Sequence, residues 1–234
     1  MRTANSLIGS PIERIEDLRF LRGRGEFVDD VVRAGVLHAV ILRSSMAHGR
    51  IRTIDGSAAF VRPGVRAVIT AADVSQELGN VPTITLRQEL LPEFTRYQQP
   101  VIAHEKVRYV GEPLAVAVAE SAAAAEDALE AIIVDIDSLP VVADRDAARR
   151  DDVLLFDEAS GNLAARLTAI RGEADAAFAN APYVRRERFK VQRFTAVPME
   201  PRGLLARWDA AKGDRKSTRL NSSHIQKSRM PSSA

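Results

Sequence analysis

The chain has 234 residues, with 33 Lys+Arg against 31 Asp+Glu, four His, no Cys and 46% apolar residues. That apolar share supports a packed core and excludes wholesale disorder, and the length suits one large domain or two small ones. The absence of Cys excludes disulfides, thiolate zinc sites, iron–sulfur ligation by this chain and a thiol nucleophile. No run of eighteen apolar residues suggests a membrane span, and the first nine residues lack the apolar core of a secretory signal. A soluble, cytoplasmic protein is therefore expected. The pI of about 9.1 hints at nucleic acid, but the charge is unevenly spread. Residues 214–234 hold Arg215, Lys216, Arg219, Lys227 and Arg229 against Asp214 alone, a charge of +4 that leaves the body at −2. A mildly acidic body gives no electrostatic reason to expect nucleic acid or an anionic membrane as a partner.

In chain order, residues 1–19 read as a polar arm, and Gly23 and Gly25 as turns leading into a strand. Residues 36–43 are apolar and β-branched and predict a strand, followed by a turn at His48-Gly49 and a short alternating strand over 51–55. Pro63-Gly64 marks a turn before a strand at 65–69, and Thr70 predicts the N-cap of a short helix over Ala71–Leu78. Residues 79–106 carry Pro82, Pro92 and Pro100 and read as a long surface excursion. A buried strand is expected at 114–119. Ser121 should cap a helix to about Ala131 with Ala125, Leu129 and Ile132 on one face, and another strand should span 132–137. Asp144 opens a helical turn, and residues 145–165 look charged and irregular, as a linker would. A helix is expected over 172–180, a strand with a polar face over 183–194, a loop over 198–203 and a strand from Leu204 to Asp209. The order of elements indicates an α+β fold.

Few residues stand out as chemistry. Gly23-Arg24-Gly25 lacks the strand, helix and third glycine of a phosphate loop. Asp29 and Asp30, as neighbours in an extended segment, would point to opposite faces and chelate poorly. Ser44, Ser45, His48 and Asp55 have the residue types of a nucleophilic triad but no nucleophile elbow. His38 reads as a half-buried strand histidine, and His104 has only the adjacent Glu105 at hand. Glu112, held between Gly111 and Pro113, is the most suggestive acid. Its structural reading is a turn that aims Leu114 into the core. Trp208 reads as core. On these grounds no catalytic residue and no metal ligand is assigned, and cofactor-binding residues are left open.

Several segments taken together resemble the molybdopterin-binding large subunit of the xanthine dehydrogenase/aldehyde oxidase family, in the manner of the carbon monoxide dehydrogenase large chains. They are Arg14-Ile-Glu-Asp17 with Gly23-Arg-Gly-Glu-Phe-Val-Asp-Asp30, then Leu37-His-Ala-Val-Ile-Leu-Arg-Ser44 with Ala47-His-Gly-Arg-Ile51. Next come Pro63-Gly-Val-Arg-Ala-Val68, Val107-Arg-Tyr-Val-Gly-Glu-Pro113 and Val134-Asp-Ile-Asp-Ser-Leu-Pro140. The series ends with Gly172-Glu-Ala-Asp-Ala-Ala-Phe178 and Pro198-Met-Glu-Pro-Arg-Gly203. Their order and spacing over about residues 9–213 carry the resemblance. It implies an α/β-hammerhead domain over 20–145, a linker over 146–169 and the truncated start of a molybdopterin-binding domain over 170–213. It also implies that the parent protein is a molybdenum hydroxylase. Such an enzyme oxidises an aldehyde, an N-heterocycle or carbon monoxide with a water-derived oxygen, and its electrons leave through iron–sulfur and FAD-binding subunits in a dimer of heterotrimers. The family's general base and molybdenum-site residues would lie beyond Gly213, so the chain alone is expected to be inactive and without the cofactor.

Residues 214–234 also resemble the translation of a sequencing-library adapter, including the Asp214-Arg-Lys-Ser217 opening, Asn221-Ser-Ser-His224 and Ser228-Arg-Met-Pro-Ser-Ser-Ala234. They are expected to be a disordered, artefactual tail, and His224 is set aside with them. The competing reading is a free-standing hammerhead-like interaction module with a genuine basic tail.

Overall fold

The computed structural model describes residues 11, 14–25, 30, 33–84, 92–192, 197, 203–209, 211 and 214–220. It divides into two units, Gly35–Val184 on the one hand and Met1–Ala34 with Arg185–Ala234 on the other.

In the first unit the chain is organised around strand β5 (Pro113–Ala119), the middle of an antiparallel sheet. Its edges are β1 (His38–Arg43) and β3 (Val65–Thr70). Ala115, Ala117 and Ala119 alternate along one face of β5 and are fully buried. Side chains this small let helix α4 (Ala122–Leu129) lie close over the sheet, and α4 meets them with its own fully buried Ala125 and Ala128. Ser121 caps α4 by accepting from the Ala124 N–H at 3.1 Å, as its sequence position predicts. Ala59 of the short helix α2 (Ser57–Phe60) and Ile132 complete this cluster.

A second antiparallel sheet has β2 (Gly49–Asp55) between β4 (Lys106–Val107) and β6 (Ile133–Ser138). Ile51 and Ile54 of β2 both pack toward the core, although a spacing of three would put them on opposite faces of a regular strand. The pairing of β2 with β6 slips between Ile51 and Thr53, so an extra residue at Arg52 restores the common face. The regular alternation expected for 51–55 is thus a bulged strand. Gly49 is required at its start, because a Cβ there would lie 2.9 Å from the Asp137 carbonyl oxygen.

Helix α3 (Ala71–Leu78) has the expected bounds. The Thr70 N–H and hydroxyl both donate to Asp73 at 2.7 Å, and Gly79 ends the helix at φ 77°. A 3-10 turn spans Pro92–Tyr97, α5 spans Arg145–Ala148 and α6 spans Ala174–Asn180. Asp144 caps α5 through the Ala147 N–H at 2.8 Å.

The second unit contains α1 (Asp17–Leu21), ended by Gly23 at φ 66°, and a hairpin of β7 (Gly203–Asp209) with β8 (Asp214–Leu220).

Three expectations need correction. Residues 183–192 carry no strand, since none of the described residues pairs with them. Beyond α5, residues 149–165 carry no helix or strand, in keeping with the irregular reading, and are hydrogen-bonded into a loop detailed below. Residues 214–220 form a strand where disorder is expected. An exposed strand edge recruits any extended segment through its backbone, so β7 can take a mate without apolar pattern. Trp208 is exposed rather than core. Asp29, residues 85–91, Arg193 and Phe194, residues 198–202 and residues 221–234 lie outside the described residues.

Candidate functional site

Two features of the Gly35–Val184 unit concentrate polar chemistry. The first is the turn between β4 and β5. Glu112 is completely buried there. Its carboxylate accepts from the Arg108 N–H at 2.6 Å and from the Arg108 guanidinium at 3.2 Å. The same guanidinium donates to the Lys106 carbonyl at 3.0 Å and lies over the Phe156 ring, 5.0 Å from its centroid. A buried carboxylate is tolerated because both its oxygens are engaged by donors of one cationic residue. Gly111 sits at φ 95°, a conformation that favours glycine, and its N–H donates to Ser44 O at 2.8 Å. The Glu112 carbonyl accepts from the Ser44 N–H at 2.9 Å. The turn is thereby sewn to the end of β1, and Leu114 enters the core beside Ala103 and Val107. Glu112 therefore does what its flanking Gly and Pro suggest.

Lys106 is buried in the same place. Its ammonium donates to Asp157 at 2.6 Å and to the Leu154 carbonyl at 3.0 Å. The bond from Lys106 holds the Asp157 carboxyl below its ordinary range, with a further contribution from the charge of Lys106 and the nearby Arg50 and Arg108. Burial, followed by the charge of Glu112, pushes the Tyr109 hydroxyl up.

The second feature is a cleft of about 540 Å³, walled by Ile51, Thr53 and Ile54 of β2, Thr70 to Ala72 at the start of α3, Val81, and the 103–105 segment. His104 and Glu105 border it as exposed side chains. Arg52, also at its wall, is paired with Asp137 on β6.

The structure separates the other residues singled out from sequence. Ser44 is buried and closes its own turn with Met46, accepting from its N–H at 2.9 Å and donating to its carbonyl at 3.0 Å. His48 is buried with Nδ1 2.6 Å from the Pro140 carbonyl, so Nδ1 carries the proton that this bond needs. Asp55 accepts from the Ser57 N–H at 2.9 Å, and this bond holds its carboxyl below the ordinary range. The three are bonded to three different partners and form no triad. His38, at the first position of an edge strand, is exposed rather than half-buried. Among the described residues no group of three or more His, Cys, Asp or Glu could hold a metal. No helix among them is long and apolar enough to cross a membrane.

Sequence reasoning missed Lys106 and Asp157 altogether. Their signal is a lysine beside an apolar Val107 in a segment that otherwise looks like loop, which is weak without the partner that lies 51 positions on.

This architecture, with three-stranded antiparallel sheets and a small-residue helix packed on β5, defines a mixed α+β domain of hammerhead type. Residues 22–140 match the a/b hammerhead domain of aldehyde oxidase and xanthine dehydrogenase, and residues 155–227 match a molybdopterin cofactor-binding domain. The chain belongs to the aldehyde oxidase and xanthine dehydrogenase family. It is 38% identical over 204 residues to the nicotine 6-hydroxylase large subunit of Paenarthrobacter nicotinovorans, covering 87% of this chain and 24% of that protein. It is 34% identical to the carbon monoxide dehydrogenase large chain of Hydrogenophaga pseudoflava, covering 85% of this chain and 25% of that one. The crystal structure of quinoline 2-oxidoreductase from Pseudomonas putida 86 superposes with a TM-score of 0.78 at 36% identity, covering 89% of this chain and 26% of that one. The chain thus spans about a quarter of the length of the relatives it matches.

Proposed function

We propose that the whole protein is the large subunit of a cytoplasmic molybdenum hydroxylase, and that this chain supplies its hammerhead domain and the opening of its cofactor-binding domain. The carrying observation is the order of the two domain matches, hammerhead at 22–140 and molybdopterin-binding at 155–227. The names of the relatives, a large subunit, a large chain and a subunit of a dehydrogenase complex, support assembly with further subunits. In this reading those partners carry iron–sulfur clusters and FAD, and the assembly doubles as a dimer of heterotrimers.

The molybdenum–molybdopterin group, when bound, supplies oxidation of the substrate with a water-derived oxygen. The residues described here do not fit as its cradle. The cleft described above is walled by β2 and α3, and among the described residues no group of three or more His, Cys, Asp or Glu could hold a metal. Their part is to build the scaffold that the cofactor-binding region adjoins in sequence. The substrate class is an aldehyde, an N-heterocycle or carbon monoxide. The test is to co-express the full gene with its neighbouring subunit genes, measure molybdenum in the purified complex and assay the three substrate classes with an artificial electron acceptor. Stoichiometric molybdenum with oxidation of one class supports the proposal. A folded complex with neither overturns it. The cofactor-domain match runs to residue 227, and sequencing the source DNA across the Gly213–Asp214 junction decides between that and the further proposal that residues 214–234 are adapter-encoded.

A further inference from the structure

We infer that residues 148–162 form a self-stapled strap that closes on the β4–β5 turn through Lys106, Arg108 and Tyr97 and opens as one unit. Two separate sets of contacts carry this. The first shapes the strap from within. Asn162 donates to the carbonyls of Val153 at 2.7 Å and Ala148 at 3.1 Å, and its side-chain oxygen accepts from the Leu155 N–H at 3.1 Å. Its own N–H donates to the Asp151 carboxylate at 2.6 Å. The Asn162 side chain thereby draws three positions of the segment together and its backbone N–H a fourth, with Asp151 at a left-handed φ of 60°.

The second set docks the strap. Lys106 reaches the Leu154 carbonyl and the Asp157 carboxylate. The Phe156 ring is held between the Arg108 guanidinium and an edge contact with Tyr97, whose centroid is 5.7 Å away. The Tyr97 hydroxyl donates to the Gly161 carbonyl at 2.9 Å. The docking residues come from two neighbouring elements, the 3-10 turn at Tyr97 and β4 with the connection after it at Lys106 and Arg108, and all contact the middle or the end of the strap. Asp157 is largely exposed while Lys106 is buried, so opening uncovers a cation that has lost its partner. Opening breaks both hydrogen bonds of the one ammonium at once, which ties the docking contacts together. The shaping contacts lose the body behind them when the strap lifts, and they loosen with it. Such a segment separates from the body as a local cooperative unit well below the global unfolding free energy. The strap also begins the region that matches the cofactor-binding domain, at residue 155. The device does not depend on the reaction proposed for the whole protein.

Amide hydrogen exchange on the full 234-residue chain tests it, read at Leu155, Ala159 and Asn162 in the strap and at Val116 and Ala117 in β5. In Lys106→Met the three strap amides should exchange faster together, by about tenfold, with β5 unchanged. Asp157→Asn changes an exposed carboxylate, leaves folding intact and should speed the same three amides to a smaller degree. Asn162→Ala should raise Leu155 most and leave Tyr97–Phe156 contact fluorescence near that of the parent. Strap amides that respond one at a time, or that do not respond to Asp157→Asn, overturn the inference. Acceleration of β5 in step with the strap also overturns it, since the segment would then be part of the global fold.

Discussion

The β5–α4 layer and the stretch from residue 163 to 192 contain similar kinds of residue and reach opposite outcomes. In the layer, Ala115, Ala117, Ala119, Ala125 and Ala128 are wholly buried. In the later stretch, Leu167, Ile170, Phe189 and Val191 are all more than 80% exposed. The difference lies in partners. A strand or helix face is stable when something covers it, and hydrophobic gain scales with the area removed from water. β5 has a strand on each side and a helix on its face. Residues 183–192 have apolar residues at Tyr183, Phe189 and Val191 but no mate among the described residues.

Substitutions can break this contrast, beginning with the largest effect. Glu112→Ala removes the buried carboxylate and leaves the Arg108 guanidinium and N–H without it, so the hammerhead should lose about 3–5 kcal/mol in urea unfolding. Leu114→Ala empties the cluster with Ala103 and Val107 and should cost about 2–5 kcal/mol in the same transition. Ser121→Ala removes the cap of α4 for about 1 kcal/mol, seen as a lower unfolding midpoint. Acid should act on the strap, as it should on the Asp55 and Asp73 carboxyls that their own hydrogen bonds hold low. The Asp157 carboxyl is held below its ordinary 3.8, chiefly by Lys106. Its contribution is complete above that value and fades as the pH falls through the lowered native one. Peptic cleavage between 154 and 157 should therefore rise as the pH falls through that range relative to cleavage of an unstructured peptide of the same sequence, and Asp157→Asn should remove that rise. Phe189→Ser, in the uncovered stretch, should change stability by less than about 0.5 kcal/mol while raising solubility. A large loss there would mean that Phe189 is covered after all.

The sequence shows the hammerhead clearly because its signals are local. Thr70 with Asp73, Ser121, Asp144 and Gly79 punctuate helices within a few residues of themselves, and α3 has the expected bounds. Leu114 to Ala119 is a continuous apolar run and becomes the central strand. Long-range facts were hidden. The bulge at Arg52 depends on register with β6, β4 is only two residues long, and the Lys106–Asp157 pair joins positions 51 apart. Tyr183 to Gln192 reads as a strand because residue types satisfy half of the requirement, and the pairing partner is the other half. For the site, Glu112 was legible as a turn acid through Gly111 and Pro113. His48 and Ser44 looked like chemistry by residue type alone, and burial against Pro140 and Met46 assigns them to structure.

The account rests on the uncovered stretch being the opening of a cofactor-binding domain whose remainder covers it. The direct measurement is to amplify the gene from its source DNA and read through the codons of Gly213 and Asp214. The account predicts an open frame that departs from residues 214–234 at that junction and continues through the rest of a molybdopterin-binding domain. Native DNA that encodes residues 214–234 followed by a stop codon would contradict it, and would leave a small hammerhead protein with a genuine basic tail.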